Sequence, residues 1–160
     1  MSDRIAVMFD GQIAQLADPD TLYRRPATRQ VANFIGLMNF LPAQILSETA
    51  AGVDLEVQGF GRLSLDSGQI MAGSDAVTQI GFRPETLTIL FDGQSTSDRD
   101  SSATVQEVVY YGDMTYYDIL LDGCTQTVRL SMRNVFGRPV LDIGAKTRVS
   151  WSPGALVMFR

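Results

Sequence analysis

Residues 104–123, TVQEVVYYGDMTYYDILLDG, decide the fold. Two runs, Thr104–Tyr111 and Met114–Leu121, flank Gly112-Asp113, and Asp122-Gly123 turns the chain again. β-branched and aromatic side chains suit the half-buried surface of a strand, and Gly beside Asp supplies the backbone freedom of a tight turn. The stretch reads as a hairpin that feeds a third strand over Thr125–Met132. Tyr110, Tyr111, Tyr116 and Tyr117 gather around its first turn. Alternate rings are expected in the core and on the rim, and rim rings form a platform for a ligand or a partner.

The same period of two extends outward. Val53, Leu55 and Val57 alternate with Asp54, Glu56 and Gln58, which predicts one buried and one wet face. Leu41–Leu46, Arg62–Leu65, Val77–Phe82, Thr86–Phe91, Thr147–Trp151 and Ala155–Phe159 read as further strands. Gly59, Gly61, Asp66-Ser67-Gly68, Arg83-Pro84-Glu85 and Ser152-Pro153-Gly154 punctuate them. Roughly eight short strands between turn signals predict a mainly β domain, a small barrel or sandwich. Asp92–Ala103, DGQSTSDRDSSA, is polar and without period, and is expected to be a loop or linker.

Upstream of Asn39 the pattern differs. Arg4–Phe9 and Gln12–Leu16 flank Asp10-Gly11, a type I′ turn signal, with Ile5, Val7 and Phe9 on one face. Asp18 is placed to cap a helix that opens on Pro19 and stops before Pro26. Thr28 can cap a second helix, Arg29–Ile35, with Val31, Phe34 and Ile35 on one side and Gly36 as a left-handed terminator. The junction falls between Gly36 and Asn39. Residues 1–37 form an α+β piece too small to fold alone, and residues 38–160 an all-β domain.

Composition narrows the chemistry. The 160 residues carry 13 Lys+Arg against 18 Asp+Glu, a net charge of −5, with no His and one Cys. Without His, the usual general base and most zinc sites fall away. One Cys removes an internal disulfide framework. The acidic balance argues against a nucleic-acid partner, since phosphate neutralisation needs clustered cations. No signal peptide is visible at the N-terminus, and no apolar run approaches the ~18 residues of a membrane span. The expectation is a cytoplasmic protein with no direct membrane insertion.

Motifs for chemistry fail on inspection. Gly144-Ala145-Lys146-Thr147 lacks the spacing of a phosphate-binding loop and precedes a strand. Gly59-Phe60-Gly61 has no helix after it, so a turn or bulge is read. Asp98 and Asp100 lack the further oxygen ligands of a calcium loop. Cys124 has no cationic neighbour in sequence to activate it. No catalytic, cofactor or metal residue is assigned. Arg83-Pro84-Glu85 stays as a candidate: Pro84 fixes a corner at which Arg83 and Glu85 can point outward, and spacing alone does not separate a bend with a structural ion pair from a contact point with another domain. Arg83, Glu85, Tyr110, Tyr111, Tyr116 and Tyr117 are therefore the candidate contact residues.

The ordered set MSDRIAVMFDGQIAQ, DPDTLYRRPATRQVANFIG, NFL, GFRPETLTI, VQEVVYYGDMTYYDILLDG and VSWSPGALVMF resembles the C-terminal part of the ATP-binding subunit of bacterial ABC importers. The resemblance covers nearly the whole chain. It departs from the usual pattern at Ala17, Gln30 and Gly154. It implies an OB-like regulatory domain preceded by the end of an ATPase domain, whose phosphate-binding loop and switch histidine would precede residue 1. Met1 would then be an internal methionine. GDMTYY and SWSP look most like the spermidine/putrescine type, with iron(III), sugar and glycerol-phosphate importers as alternatives. The implied role is regulatory and dimerising, non-catalytic in this fragment. ATP and Mg belong to the full-length subunit, a homodimer is expected, and membrane permease subunits would hold the complex at the cytoplasmic face of the inner membrane. The rival reading is a small-ligand or oxyanion sensor on the same barrel.

Overall fold

The computed structural model describes residues 2–71 and 77–160. Met1, and with it the expectation of an internal methionine, lies outside the described residues. Strands β1 (Ile5–Phe9) and β2 (Gln12–Ala17) form the N-terminal hairpin, followed by helices α1 (Pro19–Arg24) and α2 (Arg29–Ile35). Asp10 and Gly11 both have positive φ, 50° and 79°, as the type I′ turn requires. Asp18 accepts the Thr21 amide and Thr28 the Val31 amide, so both helices are capped where the sequence predicts. Val7, Leu22 and Val31 form a small core between hairpin and helices.

Eleven further strands follow among the described residues. They are β3 (Asn39–Thr49), β4 (Gly52–Val57), β5 (Gly61–Asp66), β6 (Ile70–Met71), β7 (Gln79–Phe82), β8 (Thr88–Leu90), β9 (Arg99–Tyr110), β10 (Met114–Leu121), β11 (Val128–Arg133), β12 (Lys146–Trp151) and β13 (Val157–Phe159). They make two sheets, ordered β11-β10-β9-β12-β8 and β5-β4-β3-β7-β13-β6. All pairings are antiparallel except β13 with β6. Between the sheets lies one core that includes Leu55, Ile80, Phe82, Ile119, Leu130, Val149 and Trp151. The sheets curl into the expected mainly β, OB-like fold. Among the described residues, no helix is long and apolar enough to cross a membrane.

The period-two readings hold. Val53, Leu55 and Val57 are buried, and Thr115, Tyr117, Ile119 and Leu121 face inward along β10. The two sheets also meet through aromatic rings: Phe60, in the turn after β4, stacks on Trp151 of β12 at 4.2 Å between centroids.

Three expectations are corrected. The segment 92–103 is not all loop, because β9 begins at Arg99 and pairs with β12 through Trp151↔Arg99 and Thr147↔Ala103. Its polar side chains have fixed roles: Ser101 accepts the Trp151 indole N–H at 2.9 Å, and Asp100 pairs with Arg148 at 2.7 Å. Arg99 lies over the Trp151 ring and donates to the carbonyls of Arg62 and Phe60. Gly36 is not left-handed. Its φ of 170° is extended, because the chain runs straight on towards β3. Phe34 is 66% exposed, not on the buried side of α2; its ring meets Phe9 edge-on at 5.5 Å.

Gly81 tests the packing of the central strands. A Cβ there would come within 2.7 Å of the Phe159 ring and 3.1 Å of the Met38 sulfur. Overpacking a filled core costs about 1–3 kcal/mol. Gly81→Ala is expected to lower the unfolding free energy by that amount, read as a fall in the urea midpoint at an unchanged denaturant slope.

Candidate functional site

The corner after β7 organises the surface between the N-terminal piece and the barrel. Phe82 is fully buried, so the next side chain along the strand, Arg83, turns to the opposite face. Pro84–Thr86 forms one 3₁₀ turn. The Arg83 carbonyl accepts both the Thr86 amide at 3.0 Å and the Thr86 hydroxyl at 2.6 Å. The corner is therefore fixed before the arginine side chain is considered.

Arg83 does not point out to solvent, and that expectation is corrected: it is 3% exposed. Its Nη1 donates to the carbonyls of Ala32, Gly36 and Leu37 at 3.0–3.1 Å. Its Nε and Nη2 donate to the carbonyl of Tyr23 at 3.3 and 3.0 Å. These carbonyls belong to the last turn of α1 and the end of α2, where helices leave acceptors unpaired and the dipole is negative. The extended Gly36 keeps its own carbonyl, and that of Leu37, on the guanidinium.

The Tyr23 ring covers the other side, 4.3 Å from the guanidinium carbon to the ring centroid. The Tyr23 hydroxyl donates to Glu85 Oε1. Thus Arg83 and Glu85, two residues apart, both engage one tyrosine of α1. Burial pushes the Arg83 guanidinium below its ordinary value, against the pull of Tyr23 and Glu85. Burial, then the bond to Glu85 and its charge, pushes the Tyr23 phenol up to about 12. Beside the clamp lies a recess of about 360 Å³, lined in part by Arg25, Gln69, Glu85 and Leu156.

The tyrosine hairpin is a second, separate surface. Tyr117 is 2% exposed, and its hydroxyl accepts the Leu141 amide at 3.2 Å, so it is a core residue that fixes the following loop. Tyr110 and Tyr111 are 62% and 65% exposed. Tyr111 meets Tyr116 edge-on at 5.5 Å, and these two line a groove of about 380 Å³ with Val109, Asp113, Met114 and Arg129. Arg129 is held by a two-pronged bond to Asp118, at 2.6 and 2.7 Å, which also raises its pKa. Asn134 ties the hairpin tip down, receiving the Thr115 hydroxyl and donating to the Gly112 carbonyl.

The candidate residues thus fall in two places. Arg83 and Glu85 share the clamp, Tyr111 and Tyr116 share the groove, Tyr110 lies outside that groove lining, and Tyr117 is internal. Tyr23 and Asn39 escape a reading by motif. Asn39 links the sheets by donating to the Arg129 carbonyl at 2.7 Å and accepting the Arg129 amide at 2.8 Å. Its place at the start of a strand, in the NFL string, is its only sequence signal. Cys124 is half-buried, and burial raises its thiol pKa, as suits an unreactive side chain.

The Tyr23 phenol supplies a pH test. Its folded pKa is raised above the unfolded value near 10, so its stabilising contribution is complete below about pH 10 and disappears as pH climbs towards about 12. A difference titration of tyrosinate absorbance, wild type minus Tyr23→Phe, should show one phenol ionising late. A Tyr23 phenol that ionises at the ordinary tyrosine value near 10 would contradict the clamp geometry.

Comparison with known proteins places this geometry. Over 155 residues the chain is 36% identical to the spermidine/putrescine import ATP-binding protein PotA of Thermobifida fusca, covering 96% of this chain and 39% of that protein. The corresponding protein of Ruegeria pomeroyi is 37% identical over 128 residues, 80% of this chain and 33% of its own length. The chain spans about two fifths or less of the curated relatives compared here, and corresponds to their C-terminal portion. Among solved structures, the cytoplasmic molybdate-binding protein ModG, crystallised with molybdate bound, superposes with a TM-score of 0.50 at 14% identity. That match covers 84% of this chain and 97% of ModG, and shows the fold. The sequence pattern of the TOBE domain matches residues 80–159, from the strand that ends in Phe82 to the last core strand. Half of the chain fits that one pattern, Arg83 and the whole tyrosine hairpin included, and the chain belongs to the TOBE domain family.

Proposed function

We propose that this chain is the C-terminal regulatory region of the ATP-binding subunit of a polyamine importer, of the spermidine/putrescine type. The observation that carries the reading is the 36% identity to an import ATP-binding protein that runs on through 96% of the chain, including the hairpin and helices upstream of the TOBE pattern. In this reading residues 1–37 are the end of the ATPase domain and residues 38–160 the regulatory domain. ATP and magnesium are handled by parts of the longer subunit, since the only Gly-Ala-Lys-Thr string, residues 144–147, runs from a turn into the start of β12 and not into a helix.

The partners follow from the same reading. The barrel pairs with its copy in a second subunit, and permease subunits keep the complex at the inner face of the membrane. The surface has residues suited to contact: Tyr110, Tyr111 and Phe136 are exposed on the β9–β10 hairpin and the loop after β11. Exposed rigid aromatic side chains are favoured anchors at protein interfaces.

Two measurements on the purified chain test the reading. It is expected to hydrolyse no ATP, and steady turnover would overturn the non-catalytic role. Light scattering over a range of concentrations should show a dimer, which Tyr111→Ala weakens; a strict monomer at the highest concentration counts against pairing through this region. In cells, deleting residues 38–160 from the full-length subunit is expected to alter uptake of labelled spermidine, and an unchanged uptake would remove the regulatory assignment.

A further inference from the structure

We propose that Arg83 is a coupling joint: helices α1 and α2 are ordered only while its guanidinium is seated between them, so the corner after β7 reports the state of the barrel to the N-terminal hairpin. The proposal stands on this chain's geometry and does not need the importer reading.

The helices have six and seven residues. Isolated helices of that length are unstable in water, and most helical stability comes from packing. Their own core is small: Val7, Leu22 and Val31 with a few partly buried neighbours. The backbone bonds at the helix ends run from Leu22 to Asp18, Arg25 to Thr21, Ala32 to Thr28 and Gly36 to Ala32. The carbonyls of Tyr23, Ala32, Gly36 and Leu37 all converge on the one side chain that the barrel supplies. If the corner withdraws by even an ångström or two, the hydrogen bonds lengthen beyond useful range: the carbonyls of Tyr23, Gly36 and Leu37 lose this donor together, and Ala32 keeps only the Gly36 amide.

The joint continues to the hairpin. The Gln15 side chain, on β2, donates to the Arg25 carbonyl at 3.1 Å and accepts the Ala27 amide at 2.7 Å. Gln15 therefore reads the position of the α1–α2 connection directly. The outward side chains Ile5, Ile13 and Leu16 ride on this hairpin and are exposed. The barrel end is stiff, because Thr86 holds the Arg83 carbonyl and Phe82 pairs with Asn39, which bridges to Arg129 of the other sheet. A shift between the sheets thus reaches Arg83 through covalent neighbours and short bonds. Lysine would keep the charge and lose the planar fork that reaches several carbonyls at once.

Hydrogen exchange read by mass spectrometry on the 160-residue chain tests this. In Arg83→Lys, peptides covering 18–37 are expected to exchange at least about tenfold faster than in the wild type, while peptides covering 114–133 change less than about twofold. Equal acceleration in both regions would mean that Arg83 is only a general stability residue, and no acceleration in 18–37 would mean that the helices are ordered without it. Either result overturns the proposal. Should Arg83→Lys fail to fold, Tyr23→Leu removes the ring that covers the guanidinium from outside the barrel. It is expected to accelerate 18–37 by at least about threefold with 114–133 unchanged, and the absence of that local effect overturns the proposal as well.

Discussion

Every helix ends in carbonyls that its own backbone cannot satisfy, and in α1 and α2 these ends face the same buried guanidinium. Burying a cation away from a carboxylate is costly unless its donors are all used. Here every guanidinium nitrogen of Arg83 donates, and Tyr23 covers one face. The cation and the helix ends solve each other's problem. The helices gain the cap that a left-handed glycine would otherwise provide, and the charge gains a set of fixed dipoles. Glu85 adds to this from one side through the Tyr23 hydroxyl, without reaching into the carbonyl cluster.

Such a clamp works only on a rigid support, and the barrel provides it at two junctions. Near the clamp, Asn39 uses its side-chain amide as a strand uses a peptide group, giving and accepting one bond with Arg129. Arg129 in turn is fixed by both oxygens of Asp118. At the other junction Phe60 stacks on Trp151, and Arg99 spans the gap from above the indole to the carbonyls of Phe60 and Arg62. The two sheets are therefore joined by polar bonds at one place and by stacked rings with a cation at another. The tyrosine groove shares Arg129 with the first junction, so its floor is as fixed as the core beneath it.

Local rules made much of this legible. Asp10-Gly11, Asp18-Pro19 and Thr28 each carry a conformational preference within a few residues, and each acts where it is expected. The alternation of Val53, Leu55 and Val57 needs only a neighbour on each side of the strand, and it too holds. Gly36 shows the limit of such rules. A glycine after a helix favours the left-handed cap, but only if no other donor claims the last carbonyls. Arg83 lies 47 residues away from Gly36 and claims them. The failure over Arg99–Ala103 has the same origin. Serines and aspartate there give no apolar period, yet Ser101, Asp100 and Arg99 bond with Trp151, Arg148 and the Phe60 turn, all remote in sequence.

Both surprises involve an arginine that meets backbone carbonyls, and this explains why residue type found one half of each contact and never the other. Every residue presents the same carbonyl, so composition cannot mark Tyr23, Ala32, Gly36 or Leu37 as acceptors in the way that an aspartate marks itself as a partner for Arg148. The arginine is visible, and its motif even singles it out. Its orientation is not, because a guanidinium beside a proline corner satisfies the sequence equally well facing water or facing a helix end. What decides between them is the supply of unpaired carbonyls at the far side of the corner. Two very short helices, each stopping with no left-handed cap, supply them in numbers that only a planar five-donor group can meet. The N-terminal piece, too small by its sequence to fold alone, thus supplies in the ends of two short helices the acceptors that hold Arg83 inward and bind that piece to the barrel.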